Sequence, residues 1–233
     1  MITTIKSNDR HTADFGWLQT HWHFSFGEYH DPANMNWSRL RVFNDDVIQG
    51  GGAFGTHPHR DMEIVTYVLE GQLAHEDSVG NKGIVHPGEV QVMSAGKGIY
   101  HSEANASADK PVKLIQLWIE PRNRGNTPRW EQKQFTKDQR AGRLLPVVSA
   151  GDLDGTLAID QDAQIYVSSL EAGSSVTHPI KPGHRHAYLF VTQGELTVNE
   201  SKLSAGDQAR IADEKGLEIK AESDAEFILL DLP

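Results

Sequence analysis

Two short clusters carry the chemistry open to this chain: His57-Pro58-His59 and His101-Ser102-Glu103. In an extended strand, residues two apart project from the same face, so each pair can present both side chains to one point. On a helix the same spacing would set them roughly 200 degrees apart, so the pattern needs strands. If the two strands face each other across a barrel, three imidazoles and one carboxylate converge. That N/O donor set, without thiolate, suits one divalent cation, Fe(II), Mn, Ni, Cu or Zn, rather than a soft-metal or iron–sulfur centre. Four protein ligands on a metal that prefers five or six leave positions for substrate and dioxygen. One carboxylate leaves a dication with net positive charge, which favours an anionic, enol-type oxygen ligand.

The neighbouring sequence supplies the strands. Residues 63–70 (EIVTYVLE) are rich in β-branched and aromatic residues and are closed by Gly71; Val90 to Met93 lie between Gly88 and the pair Gly96 and Gly98. Residues 75–83 (HEDSVGNKG) read as a hairpin, with His75 and His86 in structural or solvent-exposed places. Asp61 and Glu63 share the parity of the first histidine pair and are expected to point inward. Glu63 is then a candidate to orient a metal-bound imidazole, against the alternative of an ordinary buried acid. Residues 113–120 (KLIQLWIE) read as a further strand, 121–128 as a loop, and Trp130 to Arg140 as a polar linker or short helix between halves. Phe54, Met93 and Trp118 are the apolar residues expected around the site.

At 233 residues with 38% hydrophobic content, the chain can bury a large core in one or two domains. A net charge of -10 argues against direct nucleic-acid binding, and no cysteine is available for disulfide or thiolate chemistry. The first twenty residues lack the apolar stretch of a leader, and no run is long and apolar enough to span a bilayer. A soluble, cytoplasmic monomer without membrane contact is expected. His11, His21, His23 and His30 lie near Trp17, Trp22 and Phe24 and read as packing or surface residues, with Phe24 and Phe26 in the core.

The second half repeats the first in outline. Residues 188–198 (YLFVTQGELTV) parallel residues 64–74, with Gly194 in the role of Gly71 and Gly206 in that of Gly88. Aligned on these glycines, the positions of His57 and His59 fall on Ile180 and Pro182. His178, His184 and His186 have no partner in a second motif, so this half is expected to hold no metal. Two similar units in one chain point to an internal duplication.

The residues Gly51, His57, His59, Glu63 and Gly71, followed by Gly88, Gly98, His101 and Asn105, resemble the two cupin motifs. The first interval is one residue longer than usual, and Gly96 stands where proline is common. The His-x-Glu of His101 and Glu103, with residues 24–32 (FSFGEYHDP) and 40–46 (LRVFNDD), is similar to the pirin family over nearly the whole chain. The resemblance implies an all-β bicupin of two cupin barrels side by side: an N-terminal metal-binding domain at 1–130 and a degenerate C-terminal one at 131–233, with the last strand, from Phe227, returning to the other barrel. It implies His57, His59, His101 and Glu103 as metal ligands, Fe(II) foremost. It also implies dioxygenase activity of the quercetin 2,3-dioxygenase kind, with a flavonol or other enol and dioxygen as substrates, release of carbon monoxide, and Glu103 as ligand and catalytic base. The alternative is a metal-dependent redox sensor or regulator that binds a protein partner without turnover.

Overall fold

The computed structural model describes residues 1–181 and 185–233, so the expectations for Pro182 and His184 lie outside the described residues. Strands dominate; among the described residues the one α-helix, Lys137–Arg140, is a single turn held by a capping box between Thr136 and Gln139. No described helix is long and apolar enough to cross a membrane. The chain divides into two compact units, His11–Phe135 with Leu157–Gln161, and Met1–Arg10 with Thr136–Thr156 and Asp162–Pro233. Relative to a simple cut after residue 130, the first ten residues change sides because Ile2–Ile5 pairs antiparallel with Gln208–Ala212.

The first unit is built from two antiparallel sheets. The larger runs in the order Arg129–Gln134, Glu89–Ser94, Glu63–Glu70, Val112–Ile119, Leu40–Ile48, Leu18–Trp22, His11–Asp14; the smaller runs Ala53–His59, Ile99–Asn105, Leu73–Asp77, Lys82–Val85. Strand register sets the interior in rows. Met93, Ile64, Trp118 and Val42 are successive cross-strand partners, and two residues along lie Gln91, Thr66, Gln116, Asn44 and Trp22. The next row holds Val68, Leu114, Asp46 and Thr20. A polar row therefore crosses the large sheet between two apolar clusters, one around Ile64, Met93 and Ile99 and one around Leu18, Ile48, Leu73 and Val112. Of residues 130–140, expected as linker or short helix, Lys137–Arg140 is that helix, whereas Arg129–Gln134 is an edge strand paired along Glu89–Ser94. An edge strand buries little of its outer face, so its polar composition hid it.

The second unit repeats this plan. Ile2–Ile5, Gln208–Ala212, His186–Gln193, Ala225–Leu232, Gln164–Leu170 and Leu145–Ser149 pair in that order, and Ser175–Pro179, Gly216–Ala221, Glu195–Val198 and Ser201–Ser204 form the smaller sheet. The last strand, Ala225–Leu232, does not return to the other barrel. It lies between His186–Gln193 and Gln164–Leu170 of its own sheet, because its run of buried apolar residues suits a central strand.

Pairing also corrects the alignment of the halves. His57 faces His101, and in the equivalent strands His178 faces Leu217, so His178 rather than Ile180 occupies the place of His57. The segment after this strand is two residues longer in the second half, which an ungapped alignment cannot register. The polar row Gln91, Thr66, Gln116 becomes Ala209, Leu189, Leu229, and His75, His101 and Glu103 become Val198, Leu217 and Ile219. All six replacements belong to one buried apolar cluster.

Gly71 and Gly194 hold the same turn in both units, with φ of 76° and 78°. A Cβ on Gly71 would lie 2.6 Å from the carbonyl oxygen of Pro111, and one on Gly194 would strike that of Asp224. Gly71→Ala and Gly194→Ala should each cost about 1–3 kcal/mol or more from the backbone conformation alone. Chemical denaturation checks this, and two variants as stable as the parent would contradict the turn geometry.

Candidate metal centre

His57 and His59 leave the strand Ala53–His59 on one face, and His101 meets His57 as its cross-strand partner. The register then slips at a bulge between His101 and Glu103, which brings Glu103 opposite Phe54. The imidazole centroids lie 4.4 Å apart for His57 and His101 and 4.9 Å apart for both pairs involving His59. One ring nitrogen from each lies within 4.8 Å of the others.

The donor chemistry fits a cation. His57 Nδ1 donates to the carbonyl oxygen of Gly55 at 2.7 Å, which leaves the Nε2 lone pair facing the cluster. His101 is 1% exposed, and neither of its ring nitrogens has a partner in the chain. Buried imidazoles without hydrogen bonds are rare in folded proteins, and a dication satisfies them directly. Burial and the neighbouring imidazoles push His59 down to about 4 and His101 down to about 2. Both rings are neutral at pH 7, the form in which imidazole binds metal.

Glu103 is held separately. Gln91 Nε2 donates to its Oε1 and Gln116 Nε2 to its Oε2, both at 2.8 Å. Each amide is itself oriented, since Trp130 Nε1 donates to Gln91 Oε1 at 2.9 Å and Trp118 Nε1 to Gln116 Oε1 at 3.3 Å. With each amide oxygen engaged by an indole, each NH₂ must point at the carboxylate. Burial pushes the Glu103 carboxyl above its ordinary range, opposed chiefly by the Gln116 hydrogen bond. A dication beside it would reverse that shift.

His75, expected to be structural or solvent-exposed, is 1% exposed and faces the site. It is the cross-strand partner of Glu103, stacks on Trp130 and points Nε2 at Asp77 at 3.4 Å. One of its nitrogens lies within 4.8 Å of donor atoms of both His101 and Glu103. The site thus offers two overlapping triads that share His101.

His57, His59 and Glu103 open onto a cavity of about 520 Å³, whose walls include Trp17, Trp22, Phe26, Phe54 and Trp118. That volume falls in the range of roughly 300–1,000 Å³ usual for small-molecule sites. Trp118 stands edge-on to His59, 4.8 Å between centroids, and Phe26 edge-on to Trp118 at 5.3 Å. Asp46 also lines the cavity, and burial pushes its carboxyl up to about 7.

Several expectations change. Glu63 is buried, but its carboxylate accepts from Ser94 Oγ at 2.5 Å and not from a site histidine. Asp61 adopts φ of 49° in the turn between two strands, which breaks the parity counted from His59; it accepts from the Gly125 amide instead. Met93 is sealed in the apolar cluster behind the cavity, while Phe26 is half-buried in its wall and only Phe24 is core. His11 stacks between Trp22 and Tyr29, and His86 is exposed. Gln91, Gln116 and Trp130 belong to no local motif; the signal for Gln116 in the sequence is a lone glutamine within an apolar strand, as in KLIQLWIE.

Comparison with known proteins agrees with this architecture. The Pirin family profile matches residues 5–119, and that of the quercetinase C-terminal cupin domain matches residues 146–232. The chain is 47% identical to quercetin 2,3-dioxygenase of Escherichia coli K12 over all of its own length and 99% of that protein. It is 44% identical to a pirin-like protein of Caulobacter vibrioides over 94% of both chains. The crystal structure of the bacterial pirin YhhW from Escherichia coli in complex with nickel(II) superposes with a TM-score of 0.95 at 45% identity, covering 100% of this chain and 99% of that one.

Gln91→Leu and Gln116→Leu each remove one donor from Glu103. Each should weaken divalent-cation binding roughly 10- to 100-fold, read by competition with a chromophoric chelator; unchanged affinity would show that the amides do not govern the carboxylate. In the metal-free protein, unfolding frees His101 to bind a proton near its ordinary value of 6.5, whereas the folded state refuses it down to about 2. The unfolded state therefore binds more protons below pH 6.5, and stability falls as the pH is lowered through that window by up to about 1.4 kcal/mol per pH unit. Denaturation midpoints at pH 7 and pH 5 should diverge less in His101→Gln than in the parent.

Proposed function

This chain belongs to the pirin family and is a metal-dependent enzyme of its dioxygenase type, and on that premise we propose that it opens the ring of a flavonol such as quercetin with dioxygen, releasing carbon monoxide. The observation that carries the proposal is the meeting of His57, His59 and Glu103 on one wall of an aromatic cavity large enough for a planar enol. His57, His59, His101 and Glu103 would hold the metal. We take Fe(II) as the resident ion, with Mn, Ni, Cu and Zn as alternatives; nickel is the ion in the Escherichia coli YhhW complex. Bound there, a divalent ion supplies a Lewis-acid contact for an enolate oxygen and, if redox-active, a path for electrons towards dioxygen.

The chain's own residues do the rest. Glu103 takes the proton of the 3-hydroxyl group, because its carboxylate lines the cavity beside His57 and His59. Gln91 and Gln116 keep the carboxylate aimed while it gives up and regains that proton. The Gly55 carbonyl fixes the tautomer of His57, so its Nε2 keeps facing the site. Trp118, Phe54 and Phe26 give the flat ring system an apolar seat and keep bulk water from the enolate.

The test is anaerobic reconstitution with Fe(II), Mn, Ni, Cu or Zn, then exposure to dioxygen and quercetin, with flavonol loss and carbon monoxide followed together. Turnover should require a metal, vanish in His101→Ala, and fall roughly 100-fold or more in Glu103→Gln if the carboxylate is the base. Tight metal binding without turnover on any flavonol would sink ring cleavage and favour the regulator reading.

A further inference from the structure

His75 lies in the wall of the metal centre and has no part in the steps above. It is 1% exposed, as is His101 beside it, and the two ring centroids are 5.4 Å apart. His75 Nε2 points at Asp77 Oδ2 at 3.4 Å, so Nε2 carries the ring hydrogen and Nδ1 is a bare lone pair. Asp77 is itself fixed: the backbone amides of Val79 and Asn81 donate to its Oδ1 at 3.0 Å, and the Asn81 side chain donates to its Oδ2 at 2.9 Å. Nδ1 of His75 has no partner in the chain, and neither nitrogen of His101 has one. Three unpartnered nitrogens on two adjacent buried rings are rare in a native fold.

A cation at His57, His59 and His101 takes one of them. The other His101 nitrogen then holds a hydrogen, and a metal-bound imidazole gives that hydrogen to an acceptor. His75 Nδ1 is an acceptor without a donor. Two imidazoles sharing an N–H···N bond place their centroids roughly 5 Å apart, near the 5.4 Å found between these rings. A nitrogen of His75 lies within 4.8 Å of one of His101, a gap that one water also spans. The His75 ring is braced on Trp130, with 5.2 Å between centroids and 14° between planes. Gly83, the cross-strand partner of His75, makes the room: a Cβ there would lie 2.6 Å from Trp130 Cη2. In the second unit the places of His75, Trp130 and Gly83 hold Val198, Ile2 and Ser201, so the brace is lost together with the donors.

Resting on the metal centre read above, we propose that His75 is a positioning residue: it accepts the hydrogen of the His101 nitrogen that the ion leaves free, directly or through one water, and so fixes the tautomer and tilt of that ligand. Asp77 holds the other end of the chain, and Trp130 sets the plane of the ring. The contact needs no opening to the cavity, because both rings belong to the wall itself. The carboxylate at the far end makes His75 a better acceptor and His101 a stronger ligand.

His75→Phe keeps the stack on Trp130 and removes the acceptor, whereas His75→Asn returns an acceptor oxygen near the place of Nδ1. Nickel(II) affinity is read by competition with a chromophoric chelator, and ligand geometry by the visible absorption of the cobalt(II)-loaded protein. His75→Phe should bind nickel roughly 10- to 100-fold more weakly and shift the cobalt bands, and His75→Asn should recover most of the affinity. In thermal denaturation the metal-free His75→Phe protein should match or exceed the parent, since it loses a buried unpartnered nitrogen. Asp77→Asn sets an amide hydrogen where Oδ2 stood, turns the His75 hydrogen onto Nδ1, and should weaken nickel binding with His75 in place. That variant decides the matter if His75→Phe does not fold. Unchanged affinity in His75→Phe or in Asp77→Asn, or equal losses in His75→Phe and His75→Asn, overturns the assignment. If His101→Ala binds nickel as tightly as the parent, the metal centre itself is misread and the role of His75 falls with it.

Discussion

The burial of one carboxylate governs the first unit. Glu103 lies 3% exposed inside a barrel, where a lone charge is expensive and a protonated acid would be a poor ligand. Its oxygens are met by two amide donors from two different strands, and each amide is locked by an indole N–H. That chain of bonds reaches from the edge strand Arg129–Gln134, which carries Trp130, to the central strand Val112–Ile119, which carries Gln116 and Trp118. The polar row across the large sheet exists because the smaller sheet presents a carboxylate to it.

The second unit shows what the same scaffold does without that constraint. Where Glu103 and His101 stand, it has Ile219 and Leu217; where Gln91 and Gln116 stand, it has Ala209 and Leu229. Carboxylate and amides disappear together, as expected of groups whose only reason for burial is one another. His178, in the place of His57, instead pairs with Asp231 at 3.0 Å, and Arg185 binds the other oxygen of that carboxylate at 2.5 Å. Those partners, the imidazole first and the guanidinium with it, hold Asp231 below its ordinary range. A histidine that is a candidate ligand in one barrel is hydrogen-bonded to a buried carboxylate in the other.

The histidine cluster carries the opposite tension. Three imidazoles crowd together, two of them, His59 and His101, held neutral by burial and their neighbours, and His101 has no partner for either nitrogen. Such a site is preorganised for a cation and disfavoured without one, the usual exchange of stability for function. The register shift between the pairs His101–His57 and Glu103–Phe54 puts one extra residue into the strand Ala53–His59, while His101 and Glu103, two apart, stay within reach of one another.

The strand character of the core, the duplication, the turn glycines and the candidate donors His57, His59, His101 and Glu103 are legible in the sequence, because those features rest on spacing within a few residues. Its parity argument failed at Asp61 and Glu63, where a left-handed residue between strands resets the count. It missed the inward role of His75 and the two glutamines. Which residue faces His75, or which indole fixes Gln91, depends on register between strands far apart in the chain, and cross-strand pairing leaves no local trace. The edge strand and the place of His178 were decided the same way.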